Sequence, residues 1–531
     1  MATKMLVSGN EAIALAAWDC GVHLGTGYPG TPSSEILEEF SNLGGHAQWA
    51  PNEKVALEVA IGAAFGKARA LVTMKHVGLN VAADPLFTIA YAGTPGGLVI
   101  ISADDPGMAS SQNEQDNRRY AAAAGVIMVE PTDSQDAYDY LFHAFELSEK
   151  YQLPVLYRVT TRVCHSKCVL NRSREHKELK PTHYERNVKQ TVMIPAFARL
   201  AHRSLRAKLH EAEEQNNAGF LVEEKTGSPD LGIIATGISY QHALDAAPEA
   251  SFLKIGMTYP LPLERIKAFA DKVKRVVVVE EGDPILFENC RAAGIPVEGK
   301  AEMYRFGELN VNRVKRILAK DVTPEAQPPA GKPPQLCPGC PHRKTYEVLR
   351  DLGCIVSGDI GCYTLGVLPP FNAVDTCVCM GASITAGLGM RHVLPEEQAR
   401  KVVSVIGDST FLHTGINGIV DMVYNRPTTG HVVVIVDNST TAMTGMQENP
   451  ATGRKLDHTP APQISLENVV KAIGVDHVDI IDTTAEPERF ADLLKNRLAS
   501  NDLSVIIARR PCILAAVKIR AYEAANTAKE N

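Results

Sequence analysis

Two short strings place hard oxygen donors at the ends of apolar runs. Gly407-Asp408 opens "GDSTFLHTGI" directly after "VVSVI", and Asp437-Asn438 opens "DNSTTAMTG" directly after "HVVVIV". In an open parallel sheet, ligands bind outside the carboxyl ends of the strands. Gly407 allows a sharp turn and a close backbone approach, and the helix predicted after it points free N–H groups at an anion. Asp408 supplies a carboxylate oxygen and Asn438 a neutral amide oxygen. Their separation of 30 residues (438 − 408) is enough for a helix, a turn and a second parallel strand, which sets the two loops side by side. Those oxygens, with a backbone carbonyl and a diphosphate, make a donor set suited to octahedral Mg²⁺. Spacing alone leaves a plainer role open, in which Asp408 caps the helix and Asn438 makes a turn.

The second candidate chemistry is that of sulfur. Six of the eleven cysteines fall between Cys337 and Cys379. Cys337-Pro-Gly-Cys340 is a C-x-x-C, Cys362 follows in "DIGCYTLG", and Cys512 stands in "ARRPCIL". Four thiolates can hold a [4Fe–4S] cluster or Zn²⁺. The second C-x-x-C of a compact zinc ribbon is missing, and a set of buried free thiols is the alternative. Cys377 and Cys379 alternate on a predicted strand and would face opposite sides. Cys20, Cys290 and Cys354 read as core, while Cys164 and Cys168 flank His165 in a weak metal pattern.

Acid–base and anion-binding candidates lie nearer the N-terminus. Glu53 opens the predicted helix "NEKVALEVAIGAAFGKA", with Glu58 as its competitor five residues on. A first-turn carboxylate at a helix N-terminus is the ordinary explanation of Glu53. Gly27, Gly30 and Thr31 share the loop "GTGYPGTPSS" after a predicted strand, and His76 ends another in "MKHVGLN". "SSQNEQDNR" supplies Gln112, Asn113, Asp116 and Arg118. Arg118 suits a substrate carboxylate, and equally an internal salt bridge.

The elements that must hold these groups are those of α/β domains. The chain has 531 residues, 45% hydrophobic and 22% charged, which predicts several globular domains with large cores. A net charge of −7 argues against a nucleic-acid binder. No apolar run reaches membrane-spanning length, and Ser8, Gly9, Asn10 and Glu11 interrupt the first one, so neither a membrane span nor a signal peptide is expected, and the location reads as cytoplasmic. Helices alternate with buried-type strands, which predicts doubly wound parallel sheets. Residues 1–163 form a first domain, 164–227 a charged connecting segment, and 228–320 a smaller α/β domain. A Pro-rich linker at 321–335 precedes a last domain at 336–524 and a tail at 525–531.

The strings "GDSTFLHTGI", "DNSTTAMTG", "CPGCPHR" and "ADDPGMASSQNEQDNR" together resemble the alpha-subunit family of indolepyruvate:ferredoxin oxidoreductase, over residues 8 to about 514. That family is one of thiamine-diphosphate-dependent 2-oxoacid:acceptor oxidoreductases. The resemblance implies three doubly wound domains: pyrimidine-binding (1–163), transketolase C-terminal-like (228–320) and diphosphate-binding (336–524). It implies that Gly407, Asp408, Ser409, Asn438 and Thr440 bind the cofactor. Asp408 and Asn438 would hold Mg²⁺ through side chains and Thr440 through its carbonyl. Ser409 stands where many members have a second glycine. Glu53 matches the acid that faces the aminopyrimidine, and Thr31 borders the 2-oxoacid as a catalytic and substrate residue, with His76 and Arg118 as further substrate contacts. Cys337, Cys340, Cys362 and Cys512 match the order of cluster ligands in related oxidoreductases.

The implied reaction is oxidative decarboxylation of an aryl pyruvate to an acyl-coenzyme A. The implied partners are a smaller beta/gamma-type subunit in a hetero-oligomer and an electron acceptor protein or electron-transfer subunit. A non-oxidative 2-oxoacid decarboxylase on the same cofactor is the alternative, and a catalytically silent scaffold is a third reading. In one respect the chain departs from the family. Only Cys512 lies beyond Cys379, so the two cysteine-rich motifs of the family's C-terminal ferredoxin-like segment have no counterpart in this sequence.

Overall fold

The valine- and isoleucine-rich runs lie at the centres of three parallel or mostly parallel sheets, as buried strands covered on both faces by helices must. A computed structural model describes residues 3–179, 181–326 and 334–530. The chain divides into two compact units, Met1–Ala326 and Gln327–Asn531. Residues 327–333 of the Pro-rich linker lie outside the described residues.

The first unit is built on a seven-stranded sheet in the order Met257–Tyr259, Ile127–Val129, Val155–Thr160, Leu98–Asp104, Ala70–Lys75, Leu24–Gly27, Ala47–Trp49. All pairs are parallel except the one made by Met257–Tyr259, which is lent by the following domain and runs antiparallel to Ile127–Val129. Leu98–Asp104 is buried along its whole length. The second domain carries a four-stranded sheet, Val276–Val279, Ser228–Ala235, Ala250–Ile255, Val222–Lys225, with the last strand antiparallel at the edge.

The segment 164–227 does more than connect. Lys167–Arg172 pairs antiparallel with Thr3–Ser8, and Val222–Lys225 joins the second sheet. The helix Pro195–Asn217 buries Leu205, Leu209 and Ala212 in the core of the first domain. Their i, i+4, i+7 spacing is a narrow helical stripe. The surrounding Arg, Lys and Glu residues mask it in a charge count.

Two buried arginines tie the domains of this unit together. Arg118 donates to Glu280 at 2.6 Å, to Asp116 at 2.6 Å, and to the carbonyls of Glu281 and Asp283. Arg158 donates to Asp104 at 2.6 Å and to Glu130 at 3.0 Å. Thr236 and Thr258 of the second domain also donate to Glu130. Charges this deep persist only when paired, and removing one partner of such a pair costs about 3–5 kcal/mol.

The second unit is a five-stranded, wholly parallel sheet in the order Ile355–Ser357, Val402–Gly407, His431–Asp437, Leu503–Arg509, His477–Ile481. One core centres on Val403, Val405, Val432 and Val434, and a second on Ile406, Val433, Ile435 and Val505. Alternate strand residues thus feed opposite faces. Cys377 and Cys379 are not on a strand: that stretch carries one isolated bridge, Thr376 with Ser357, and both cysteines are exposed. The expected tail is not separate either, because the helix Ala516–Glu530 runs through it. Among the described residues no helix is long and apolar enough to cross a membrane.

Glu281 is the acid that the buried network leaves least satisfied. One carboxyl oxygen accepts from Leu309 N–H at 2.8 Å, and the other is buried with no hydrogen-bond partner among the described residues. Burial, with Glu308 nearby, outweighs Arg158 and Lys300 and pushes its pKa up to about 7. An unfolded glutamate titrates near ~4.3. The folded chain therefore holds a proton that the unfolded chain has lost between those values, and stability falls as pH rises across that window. Glu281→Gln should raise the thermal unfolding midpoint more at pH 8 than at pH 5. An equal effect at both pH values would show that this carboxyl stays charged in the fold.

Candidate functional site

The register of two strands brings the oxygen donors together. Val402–Gly407 and His431–Asp437 are parallel neighbours with Gly407 opposite Val436, so Asp408 and Asn438 leave the sheet at the same end. Gly407 is required by packing: a Cβ there would stand 2.5 Å from the Tyr363 ring. Past Asp408 the chain makes one α turn, Asp408–Thr410, and a wider turn, Phe411–Gly415, before the helix Ile416–Tyr424. Such widened turns recur at functional sites. The two loops are joined directly, Thr441 Oγ1 donating to Ser409 Oγ at 2.9 Å.

Asp408 is 2% exposed and accepts from Asn449 Nδ2 at 3.3 Å. Burial and the neighbouring Asp437 push its pKa up to about 8. Asp437 itself is turned toward Arg509, which donates to it at 2.7 Å. Asn438 Oδ1 accepts from Thr440 N–H at 3.2 Å, and its Nδ2 stands 3.3 Å from His342 Nε2. The Thr440 hydroxyl donates to the carbonyl of Gln447 at 3.1 Å. A buried carboxylate disfavoured by a like charge, beside an amide oxygen, is an all-oxygen set that a hard divalent cation relieves. These residues therefore fit Mg²⁺.

The cysteines named from the sequence also converge. Cys337 and Cys340 bracket a turn closed by Cys340 N–H donating to the Cys337 carbonyl at 3.0 Å, with Gly339 at φ +77. Burial pushes the thiols of Cys340 and Cys362 up to about 11. Cys337 and Cys512 add to both shifts, and Cys340 adds to that of Cys362. Cys354 instead neighbours Asp375 and Arg391, and Cys377 neighbours Asp359 and Cys379. Cys512 N–H donates to the Asn438 carbonyl at 2.9 Å, so the late cysteine is hydrogen-bonded to the amide loop. Proximity is not yet coordination: among the described residues no group of three or more His, Cys, Asp or Glu side chains is set to hold a metal ion as it stands.

In the first unit, burial separates the two glutamates. Glu53 is 5% exposed at the start of the helix Glu53–Phe65, capped by the Asn52 side chain accepting from Val55 N–H. Glu58 is exposed and ion-paired with Lys54. The Glu53 carboxyl lies against Gly78 of the helix His76–Val81, where a Cβ would stand 2.5 Å from Oε1. The Thr31 loop meets the same sheet end, since a Cβ on Gly30 would touch Lys75 at 3.0 Å. Thr31 is half-buried.

His76 is fully buried, with Nε2 3.1 Å from the Asn113 carbonyl and Nδ1 without a hydrogen-bond partner among the described residues. Nδ1 is thus the imidazole atom left for a ligand. Arg118 lies in the internal salt bridge that is the other reading of it: Nε and Nη2 donate to Asp116, Nη2 also to the Glu281 and Asp283 carbonyls, and Nη1 to Glu280, with the side chain buried. The sequence reading left His342, Asn449 and Gly78 unassigned. His342 lies inside the string "CPGCPHR", while nothing local marks Asn449, which reaches Asp408 across 41 residues.

Gly78→Ala would overpack the Glu53 carboxyl and is expected to cost about 1–3 kcal/mol. Most of that loss should vanish in a Glu53→Ala background, where the clashing group is gone. Denaturant unfolding of the four chains of this cycle measures it, and full additivity would mean that the two residues do not press on each other.

Similarity to known proteins agrees with this arrangement. The profile of the thiamine pyrophosphate enzyme C-terminal TPP binding domain matches residues 359–508. That of the pyruvate flavodoxin/ferredoxin oxidoreductase thiamine-diphosphate-binding domain matches residues 15–219. Indolepyruvate oxidoreductase subunit IorA of Archaeoglobus fulgidus is 40% identical, over 96% of this chain and 87% of that protein. The subunit of the same name from Methanothermobacter thermautotrophicus is 38% identical, over 97% and 88%. Among solved structures, 2-oxoglutarate:ferredoxin oxidoreductase from Magnetococcus marinus shares the fold at a TM-score of 0.50 and 17% identity, over 60% of this chain and 65% of that one. With a buried Asp–Asn oxygen pair at the end of a parallel sheet and this likeness along almost its whole length, the chain belongs to the indolepyruvate oxidoreductase IorA family of thiamine-diphosphate-dependent 2-oxoacid oxidoreductases.

Proposed function

We propose that the chain is the catalytic subunit that oxidatively decarboxylates an aryl pyruvate, of the indolepyruvate or phenylpyruvate type, to an acyl-coenzyme A. The observation that carries this reading is the convergence of Asp408 and Asn438 at the ends of neighbouring strands. Substrate class is supported by the relatives named indolepyruvate oxidoreductase. On this reading 1–163 is the pyrimidine-binding domain, 228–320 the transketolase C-terminal-like domain and 336–524 the diphosphate-binding domain.

Thiamine diphosphate, when bound, supplies the carbon nucleophile and electron sink that 2-oxoacid decarboxylation needs. Asp408, Asn438 and the Thr440 carbonyl hold the Mg²⁺ that anchors the diphosphate, and Gly407 and Ser409 border it. Glu53, buried on its helix, shares a proton with the aminopyrimidine ring. Thr31 hydrogen-bonds the 2-oxoacid through its hydroxyl, and His76 is a further substrate contact. Cys337, Cys340, Cys362 and Cys512 would hold a [4Fe–4S] cluster, which would supply a one-electron carrier. A smaller beta/gamma-type subunit completes a hetero-oligomer, an acceptor protein or electron-transfer subunit takes the electrons, and the reaction runs in the cytoplasm.

Anaerobic co-purification with the partner subunit, followed by iron, sulfide and thiamine analysis, tests the cofactor set. The expected result is one thiamine and one cluster's worth of iron per chain, with loss of iron in Cys512→Ser. Turnover with a dye acceptor should favour indolepyruvate and phenylpyruvate over pyruvate and require coenzyme A. Glu53→Gln should cut it by roughly 10²–10⁴-fold, with cofactor still bound. A colourless complex that releases aldehyde without an acceptor would identify a non-oxidative decarboxylase instead.

A further inference from the structure

The side-chain amide of Asn438 can be set in its pocket in two ways, and only one turns oxygen toward a cation. Thr440 N–H donates to Oδ1 at 3.2 Å, which fixes the oxygen end. The other end, Nδ2, then stands 3.3 Å from His342 Nε2. An amide nitrogen carries only hydrogens to give, so Nε2 must be the accepting nitrogen of a neutral imidazole. In the reversed amide, nitrogen would face Thr440 N–H and the cation site alike, two repulsive contacts.

His342 is built to stay in place. It opens the helix His342–Asp351, two residues beyond Cys340, and is 3% exposed. Its ring meets Tyr363 nearly at right angles, with centroids 6.1 Å apart and planes at 87°. Tyr363 is pinned in turn, its hydroxyl bonded to the Ile360 carbonyl at 2.8 Å and to Thr410 Oγ1 at 3.0 Å. The same ring fills the space left open by Gly407. From the far side, Cys512 N–H holds the Asn438 backbone carbonyl at 2.9 Å.

We propose that His342 is a positioning residue that accepts the Asn438 amide N–H and so holds Oδ1 on the cation side. The inference rests on the reading of Asp408 and Asn438 as the Mg²⁺–diphosphate site, and it assigns His342 no contact with substrate. Without the acceptor, a buried N–H₂ group loses its partner and the amide loses its orientation. Partners that orient a metal ligand from behind typically contribute 10–100-fold in metal affinity.

The test uses the full chain with thiamine diphosphate present and Mn²⁺ as the probe, titrated by electron paramagnetic resonance. His342→Phe keeps a ring against Tyr363 but has no acceptor, and should weaken Mn²⁺ binding by roughly 10–100-fold. His342→Gln offers a carbonyl oxygen to the same N–H and should restore most of that loss. In an Asn438→Asp background the ligand has two equivalent oxygens and no N–H to place, so His342→Phe should there change Mn²⁺ binding little. Should His342→Phe not fold by circular dichroism, His342→Leu carries the same comparison. Wild-type Mn²⁺ affinity in the acceptor-free variant overturns the proposal, and so does an equal loss in His342→Gln or in the Asn438→Asp background. If the unsubstituted chain shows no thiamine-diphosphate-dependent Mn²⁺ binding, or Asp408→Asn binds as tightly, the site reading itself falls and this inference with it.

Discussion

A carboxylate buried at the end of a parallel sheet, beside a second carboxylate, is the constraint around which the second unit is arranged. Burial and the neighbouring Asp437 disfavour the charge of Asp408 there and raise its pKa. Asp437, one strand over, is neutralised by Arg509, which leaves Asp408 as the acid in need of compensation. The neighbouring structure is organised to meet that need with oxygen: Asn438 is oriented, its loop is tied to Ser409 through Thr441, and Asn449 braces the carboxylate from outside. The sheet makes this possible because strand register sets where loops begin. Gly407 opposite Val436 puts both donors one residue past the same edge.

The sulfur residues are joined to this oxygen site by backbone and side chain. Cys512 N–H reaches the Asn438 carbonyl, and His342, just after Cys340, reaches the Asn438 amide. The late cysteine is thus hydrogen-bonded, through its backbone N–H, to the loop that carries Asn438. Tyr363, next to Cys362, occupies the space that makes Gly407 a glycine. The edge-to-face contact of His342 with Tyr363 therefore links the C-x-x-C turn, the Gly-Cys loop and the Gly-Asp string.

The first unit uses buried charge for another purpose. Arg118 and Arg158 bind carboxylates from both of its domains and so fix the loop from Asp104 to Asp116, behind which His76 is packed. Burial on this scale turns an arginine inward: Nε, Nη1 and Nη2 of Arg118 each donate to an internal acceptor. Close backbone approaches do the equivalent work around Glu53, where Gly78 leaves room for the carboxyl and Gly30 lets the Thr31 loop lie on Lys75.

The amino-acid sequence by itself determined what is local or periodic. Apolar runs bounded by turn residues give the parallel strands, and the Gly-Asp and Asp-Asn endings 30 residues apart predict two loops on one sheet edge. The grouping of Cys337, Cys340, Cys362 and Cys512 rests on resemblance to related oxidoreductases, not on their spacing alone. What tertiary structure decided are the choices between equivalents. Glu53 and Glu58 differ by five residues and share a helix, and only packing buries one and leaves the other to Lys54. Arg118 is as suited to a substrate as to a salt bridge until Glu280, 162 residues away, is brought against it. The stripe of Leu205, Leu209 and Ala212 is masked by charge until a core is present to receive it. His342 acquires its role only when a strand from elsewhere in the chain places Asn438 at its ring nitrogen. Side-chain chemistry and backbone periodicity are encoded locally, but burial and long-range pairing are properties of the assembled chain.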